Sequence, residues 1–126
     1  MITSEMKIVI ELLKNCSKEF NGLKKEARIA LYSKNDSHEY LSKLQARGQL
    51  LIDLPGVIAI PLSTLKGADR EIADEIEMKI ACFAGDAKDA LDENNIFFLA
   101  SLLTYQGSVA GDKNDLEKLI EYLEDK

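Results

Sequence analysis

Apolar residues near the start of the chain recur at helical spacing. They follow one another at alternating steps of four and three residues, which is a heptad pattern. The series is Ile2, Met6, Val9, Leu13, Cys16, Phe20, Leu23, Ala27 and Ala30. Ile10, Leu12 and Leu31 widen this stripe and Ile8 extends one edge of it, whereas Ile29 falls outside it. The pattern predicts one long helix over residues 4–33, with an apolar stripe broad enough to pack against two neighbours.

A second helix is predicted to begin after Asp36. The run Asp36-Ser37-His38-Glu39 fits a capping box, in which the first and fourth residues bond each other's backbone amides. Tyr40, Leu44, Gly48 and Leu51 then repeat on one face, and the glycine there predicts a close helix approach. Pro55 is expected to end or kink this helix near residues 53–54.

Residues 54–67 combine a strand-like composition with two prolines. Val57-Ile58-Ala59-Ile60 would suit a strand, but the sequence offers no second candidate strand to pair with it. An isolated strand would leave its backbone groups without partners. We therefore predict a buried helix over 54–67 that is kinked or broken by its prolines.

Three further helices are predicted after residue 67. Residues 69–92 repeat apolar positions at Ile72, Ile76, Ile80, Phe83, Ala87 and Leu91. Asn94-Asn95 indicates a cap before 96–103, which is apolar on nearly all sides and is expected to be central. Gly107 is expected to end it, with a loop over 108–113. A second capping box, Asn114 to Glu117, opens a last helix with Leu116, Leu119, Ile120 and Leu123 inward.

The chain as a whole is predicted to form one all-α helical bundle of about five helices over residues 1–126. Its 126 residues are 46% hydrophobic and 30% charged, which suits one domain with its own core. No apolar run approaches the length of a membrane span. The start of the chain lacks the features of a signal peptide, and Cys16 and Cys82 are too few for a disulfide framework. We expect a cytoplasmic protein whose two thiols are free and buried.

Charge is unevenly distributed along the sequence. Residues 1–66 carry 10 Lys and Arg against 7 Asp and Glu, whereas residues 67–126 carry 6 against 15. Five cations of the first helix project within about 80° of one another, away from its apolar stripe, over about 32 Å. This basic strip consists of Lys7, Lys14, Lys18, Lys25 and Arg28. It could contact phosphates of a nucleic acid or an acidic protein surface, including the acidic half of another copy.

Residues able to carry catalysis are few. His38 is the only histidine and is expected on the surface at the start of a helix, which leaves no Ser-His-Asp or Cys-His arrangement. The carboxylates of 69–93 fall on the side of their helix opposite the apolar residues, so a solvated face is favoured over a metal site. Gly107 to Lys113 lacks the spacing and the lysine of a phosphate-binding loop. The sequence therefore predicts no metal, no cofactor and no catalytic residue.

These features favour a non-enzymatic protein–protein interaction or assembly module that associates with itself or with another protein. The heptad stripe would supply either the core or an oligomer seam through Val9, Leu13, Cys16, Phe20, Leu23 and Ala27. One alternative is a nucleic-acid-associated accessory subunit of a larger complex that uses the basic strip. A second alternative is a Mg²⁺-dependent all-α hydrolase of the carboxylate type.

Overall fold

The computed structural model describes residues 2–104 and 113–126. These residues form helices and no strand, which confirms the all-α prediction. The helices are α1 Ser4–Tyr32, α2 Ser37–Ser63, α3 Asp69–Asp92, α4 Ile96–Ala100 and α5 Asp115–Glu124. None of the helices among the described residues is long and apolar enough to cross a membrane. The predicted stop at Gly107 and the loop before Lys113 lie outside the described residues.

Helix α1 has the bounds and the buried face that the heptad pattern predicts. The Thr3 hydroxyl accepts a hydrogen bond from the Met6 amide at 3.2 Å, and the helix ends at Ser33. Most residues of the predicted stripe are buried: Met6, Val9, Ile10, Leu13, Cys16, Phe20, Ala27 and Ala30. Ile29, which the pattern left outside the stripe, is 43% exposed. The stripe is therefore the part of the core that α1 contributes.

Helix α2 returns antiparallel to α1 after a short turn. Asn35 adopts a φ of 54°, and the Asp36 carboxylate accepts from the Glu39 amide at 3.0 Å. The Glu39 carboxylate binds Lys34 Nζ at 3.4 Å. The predicted capping box at Asp36 is therefore only half formed, because the Asp36 amide donates to the Ala30 carbonyl rather than to Glu39. A complete capping box forms instead at α5, where Asn114 and Glu117 bond each other's backbone amides.

The prolines do not end α2, which corrects the prediction of a helix ending near residues 53–54 or broken within 54–67. The helix continues through Pro55 and Pro61 to Ser63. Each proline lacks an amide hydrogen and so removes one backbone bond, at a cost of about 3 kcal/mol in a helix interior. Leu54, Ile58 and Leu62 lie on one face and are at most 5% exposed, so their packing offsets this cost. The opposite face of this segment is open, so the prediction of a buried segment holds for one face only.

Helix α2 lies between α1 and α3, and α5 packs against α1. The predicted close approach at Gly48 is confirmed, since a Cβ there would lie 3.3 Å from Leu91 Cγ. α5 turns Leu116, Leu119, Ile120 and Leu123 inward, as predicted. The main core thus lies between α1, α2, α3 and α5. α4 contacts α2 and α3 at the edge of this core.

Two predictions about burial are wrong. Residues 96–103 were expected to form a central helix, but α4 ends at Ala100 and Phe97 is 75% exposed. Only Leu99 and the following Leu102 and Leu103 are buried. Cys82 was expected to be buried and is exposed, whereas Cys16 is buried, and both thiols are free. Burial, reinforced by the negative charge of Glu19, raises the pKa of Cys16 to about 11, so its thiol stays protonated at neutral pH.

Gly22 is expected to be a position where alanine stabilises the fold. It lies inside α1, and a Cβ there would meet no atom within 4 Å. Because alanine restricts the unfolded chain and suits a helix, Gly22→Ala should raise the free energy of unfolding by about 0.5–1 kcal/mol. Urea denaturation measures this. Gly48→Ala is the control, since its Cβ would press on Leu91 and should gain less. A loss of stability in Gly22→Ala would contradict the open surface at this position.

Candidate interaction surfaces

The heptad stripe of α1 is not available to a second copy. Leu13 and Phe20 are at most 1% exposed and lie at the centre of the monomer core. Val9, Cys16 and Ala27 are buried with them, and Leu23 is half-buried at the edge. The prediction left open whether this seam served the core or an oligomer. The structure places all of its residues in or beside the core, so any contact with a partner involves other faces.

The basic strip is exposed along its whole length, and α5 engages one of its members. Lys14 Nζ lies 2.9 Å from Glu124 Oε2, and this hydrogen-bonded pair raises the pKa of Lys14. Lys14 and Lys18 border a cleft of about 340 Å³ whose other wall is α5. Acidic residues of α5, Glu117, Glu121 and Glu124, line that wall. The sequence did not reveal this neutralisation, because the two helices are far apart along the chain.

Four members of the strip keep their charge unpaired. Within residues 2–104 and 113–126, Lys7, Lys18, Lys25 and Arg28 form no ion pair. All four side chains are exposed. They lie on the part of α1 that neither α2 nor the core covers. The strip is therefore an exposed cationic surface. The Lys14–Glu124 ion pair neutralises it near its middle.

Exposed apolar side chains lie along the junction of α1 and α2, where the sequence analysis expected burial. Lys43 Nζ and Glu26 Oε2 are 3.5 Å apart and mark one end of this junction. Ile8 lies about five turns before Glu26 on α1, so both side chains share one face of that helix. Pro61 lies about five turns after Lys43 on α2, so the same holds there. Because the helices are antiparallel, the positions of Ile8 on α1 and Pro61 on α2 come together at the other end of this junction.

The residues around this end of the junction are large, apolar and exposed. Ile8 is 55% exposed, Val57 is 53% exposed and Ile60 is 78% exposed. Leu12 lies one turn from Ile8, and it is half-buried. We call this set the apolar groove: Ile8, Leu12, Val57, Ile60 and Pro61. The sequence signal was present, since on a helical wheel Ile60 falls about 160° from Ile58 and Val57 falls about 100° from it, but the composition of 54–67 suggested burial all round.

Arg47 is a buried cation that the sequence analysis missed. It is 3% exposed, and its guanidinium lies 4.1 Å from the centroid of the Phe20 ring. Its Nη1 donates to the Ala100 carbonyl at 3.4 Å, and its Nε has no hydrogen-bond partner. Burial lowers the pKa of Arg47 to about 10, against a smaller opposing effect of Tyr40. Arg47 therefore remains charged at neutral pH, stacked on a ring rather than paired with a carboxylate.

The acidic residues of α3 lie on its outer face, as predicted. Glu71, Glu75, Asp86 and Asp89 are all exposed. In the part of the chain that the structure describes, no three His, Cys, Asp or Glu side chains are placed so that they could hold a metal ion. His38 is exposed at the start of α2, far along the chain from these carboxylates. Residues 107–113, which were rejected as a phosphate-binding loop, lie outside the described residues except for Lys113.

Comparison with known proteins finds no match to a family model, to a curated protein or to a solved structure. The surfaces described above are therefore the basis for a function. They are the basic strip of α1, the apolar groove between α1 and α2, and the carboxylates on the outer face of α3.

Proposed function

We propose that this protein is a non-enzymatic assembly module that associates with itself through the α1–α2 face. The observation that carries the proposal is the apolar groove, in which Ile8, Val57 and Ile60 are each more than half exposed. Exposed apolar clusters of this kind mark interaction sites on soluble proteins, because water contact with them is unfavourable. The groove lies on regular helices whose inner faces are fully packed, so it is a fixed surface.

A second copy is the occupant that the size of this face suits. α1 and α2 lie side by side, each about 40 Å long and about 10 Å wide, so their common face covers about 800 Å². A stable protein–protein interface buries about 800 Å² on each partner. Two such faces related by a twofold axis would bring the apolar groove of one copy onto the same groove of the other. The contact would be apolar at the end that holds the groove and polar at the other end, where the Lys43–Glu26 pair lies.

Sedimentation equilibrium of the wild-type protein should show a dimer of twice 14.0 kDa. Measurements at about 500 mM salt suppress contacts between exposed charges and leave apolar contacts intact. Val57→Asp/Ile60→Asp should give a monomer. Each copy would carry two carboxylates in its apolar groove, and dimer formation would bring all four together. Because both side chains are exposed, helix content and thermal stability should be almost unchanged.

The matched control is Ile96→Asp/Phe97→Asp. Both residues are large, apolar and exposed, at 46% and 75%, but they lie on α4 rather than on α1 or α2. This variant should remain a dimer. A wild-type monomer at about 100 µM protein, where even weak dimers are populated, would overturn the proposal. Equal dissociation in both variants would also count against the groove as the contact.

A further inference from the structure

The outer face of α3 carries an acidic counterpart to the basic strip. Glu71, Glu75, Asp86, Asp89 and Glu93 project within about 60° of one another and span about 33 Å. We call this set the acidic stripe. Met78, 68% exposed, and the exposed Cys82 lie within it. The basic strip of α1 extends over about 32 Å and about 80° of arc, so the two surfaces have closely matched dimensions.

The stripe, like the strip, is largely unneutralised. Among the described residues, Glu71, Asp86, Asp89 and Glu93 form no ion pair. Glu75 accepts a hydrogen bond from the Tyr122 hydroxyl at 3.2 Å, which leaves its charge in place. Lys79 lies one turn after Glu75 at the edge of the stripe and forms no ion pair among the described residues, whereas Lys88 pairs with Asp92 off the stripe. Among the described residues, therefore, the strip has an ion-pair partner only at Lys14, and Glu71, Asp86, Asp89 and Glu93 of the stripe have none.

The basic strip already binds a carboxylate of an acidic helix within the chain. Glu124 of α5 lies 2.9 Å from Lys14 and so shows the contact that the strip can make. α5 reaches only the middle of the strip. The cations on either side, Lys7 toward one end and Lys25 and Arg28 toward the other, are exposed and unpaired.

We infer that the basic strip of one copy docks along the acidic stripe of a second copy. α2 lies between α1 and α3, and both charged surfaces face away from the core, so they point to opposite sides of the molecule. One copy cannot present both surfaces to the same partner. The contact is heterologous and joins copies head to tail in a chain or ring. It extends the proposed function to a second surface, distinct from the apolar groove.

Charge reversal tests this contact directly. Lys18→Glu/Lys25→Glu places two carboxylates in the strip, and Asp86→Lys/Asp89→Lys places two cations in the stripe. Each variant alone should associate about a hundred-fold more weakly than the wild type, because like charges face each other across the contact. An equimolar mixture of the two variants should recover assembly. The altered strip of one variant can bind the altered stripe of the other, and the two unaltered surfaces can also bind each other. All four side chains are exposed and the new residues suit helices, so folding should be preserved.

The readout is sedimentation velocity at about 20 mM salt compared with about 500 mM salt, where exposed charge pairs are screened. Species larger than the high-salt form should appear only at low salt. Lys34→Glu/Lys66→Glu is the control, since it changes the net charge equally at two exposed positions outside α1 and α3 and should assemble as the wild type does. If the protein does not dimerise through the apolar groove, it will be a monomer at high salt, whatever the result at low salt.

Three outcomes would overturn the inference. The first is a wild-type protein whose mass does not change between low and high salt. The second is an Asp86→Lys/Asp89→Lys variant that assembles as well as the wild type. The third is a mixture of the two reversed variants that fails to recover assembly. If the strip variant alone lost binding to a labelled DNA or RNA duplex while the stripe variant kept full assembly, the strip would serve nucleic acid instead.

Discussion

Replacing Phe20 by alanine is expected to lower the free energy of unfolding by about 3–5 kcal/mol. Phe20 is 1% exposed and lies at the middle of α1, where its ring fills the core between α1 and α2. The substitution removes the ring contacts and leaves a cavity that rigid helices cannot close. It also removes the aromatic face on which the Arg47 guanidinium rests, so a buried cation loses its main neighbour.

Urea denaturation followed by circular dichroism measures this loss. Leu23→Ala is the matched control, because Leu23 belongs to the same heptad series and the same helix but is only half-buried. It should cost about 1–2 kcal/mol, in proportion to the smaller apolar area that it buries. Similar losses in the two variants would mean that the ring of Phe20 contributes no more than an edge residue does.

The sequence predicted α1 well because its signal is local. A heptad series over eight turns can be satisfied only by a helix with one apolar face, whatever the rest of the chain does. Asp36, Asn95 and Asn114 likewise cap their helices as predicted, because a capping bond spans only three residues. Local rules therefore account for where most helices begin.

The position at which α2 ends could not be predicted from local sequence rules. Proline propensity predicts an end near residue 54, yet the helix continues to Ser63. Its continuation depends on packing against α1 and α3, which are distant in sequence. The same limit applies to α4 and to the apolar groove. A segment that is apolar on all sides gives no periodic signal, so burial was expected where the chain supplies a neighbour on only one side.

The burial of Arg47 could have been predicted from its position in the sequence. Leu44, Arg47, Leu51, Leu54 and Ile58 follow one another at steps of three and four residues, so the arginine occupies a core position of α2. A charged residue in such a register predicts a buried cation or a helix interface. The partner could not be predicted, because Phe20 comes from α1 and the Ala100 carbonyl from α4.

Arg47→Met is expected to raise the free energy of unfolding by about 1–3 kcal/mol at neutral pH. Burying a guanidinium costs solvation energy, and here a single 3.4 Å hydrogen bond and the Phe20 ring offset only part of it. Methionine has a similar length, packs against the same ring and carries no charge to desolvate. Lys43→Met, one turn earlier on the partly exposed edge of α2, is the control and should change stability by less than about 0.5 kcal/mol.

The advantage of Arg47→Met should also depend on pH in a defined direction. Burial lowers the pKa of Arg47 to about 10 in the folded protein, so the unfolded chain binds this proton more tightly. The cost of the buried charge is therefore fully present below about pH 10 and is relieved as the pH rises above that value. Urea denaturation of both proteins should show a constant stability difference from pH 6 to 9 and a narrowing difference above pH 10. Lysine and tyrosine titrations are common to both proteins and largely cancel in this difference. A methionine variant that is less stable than the wild type at pH 7 would show instead that stacking on Phe20 outweighs the cost of burying the charge.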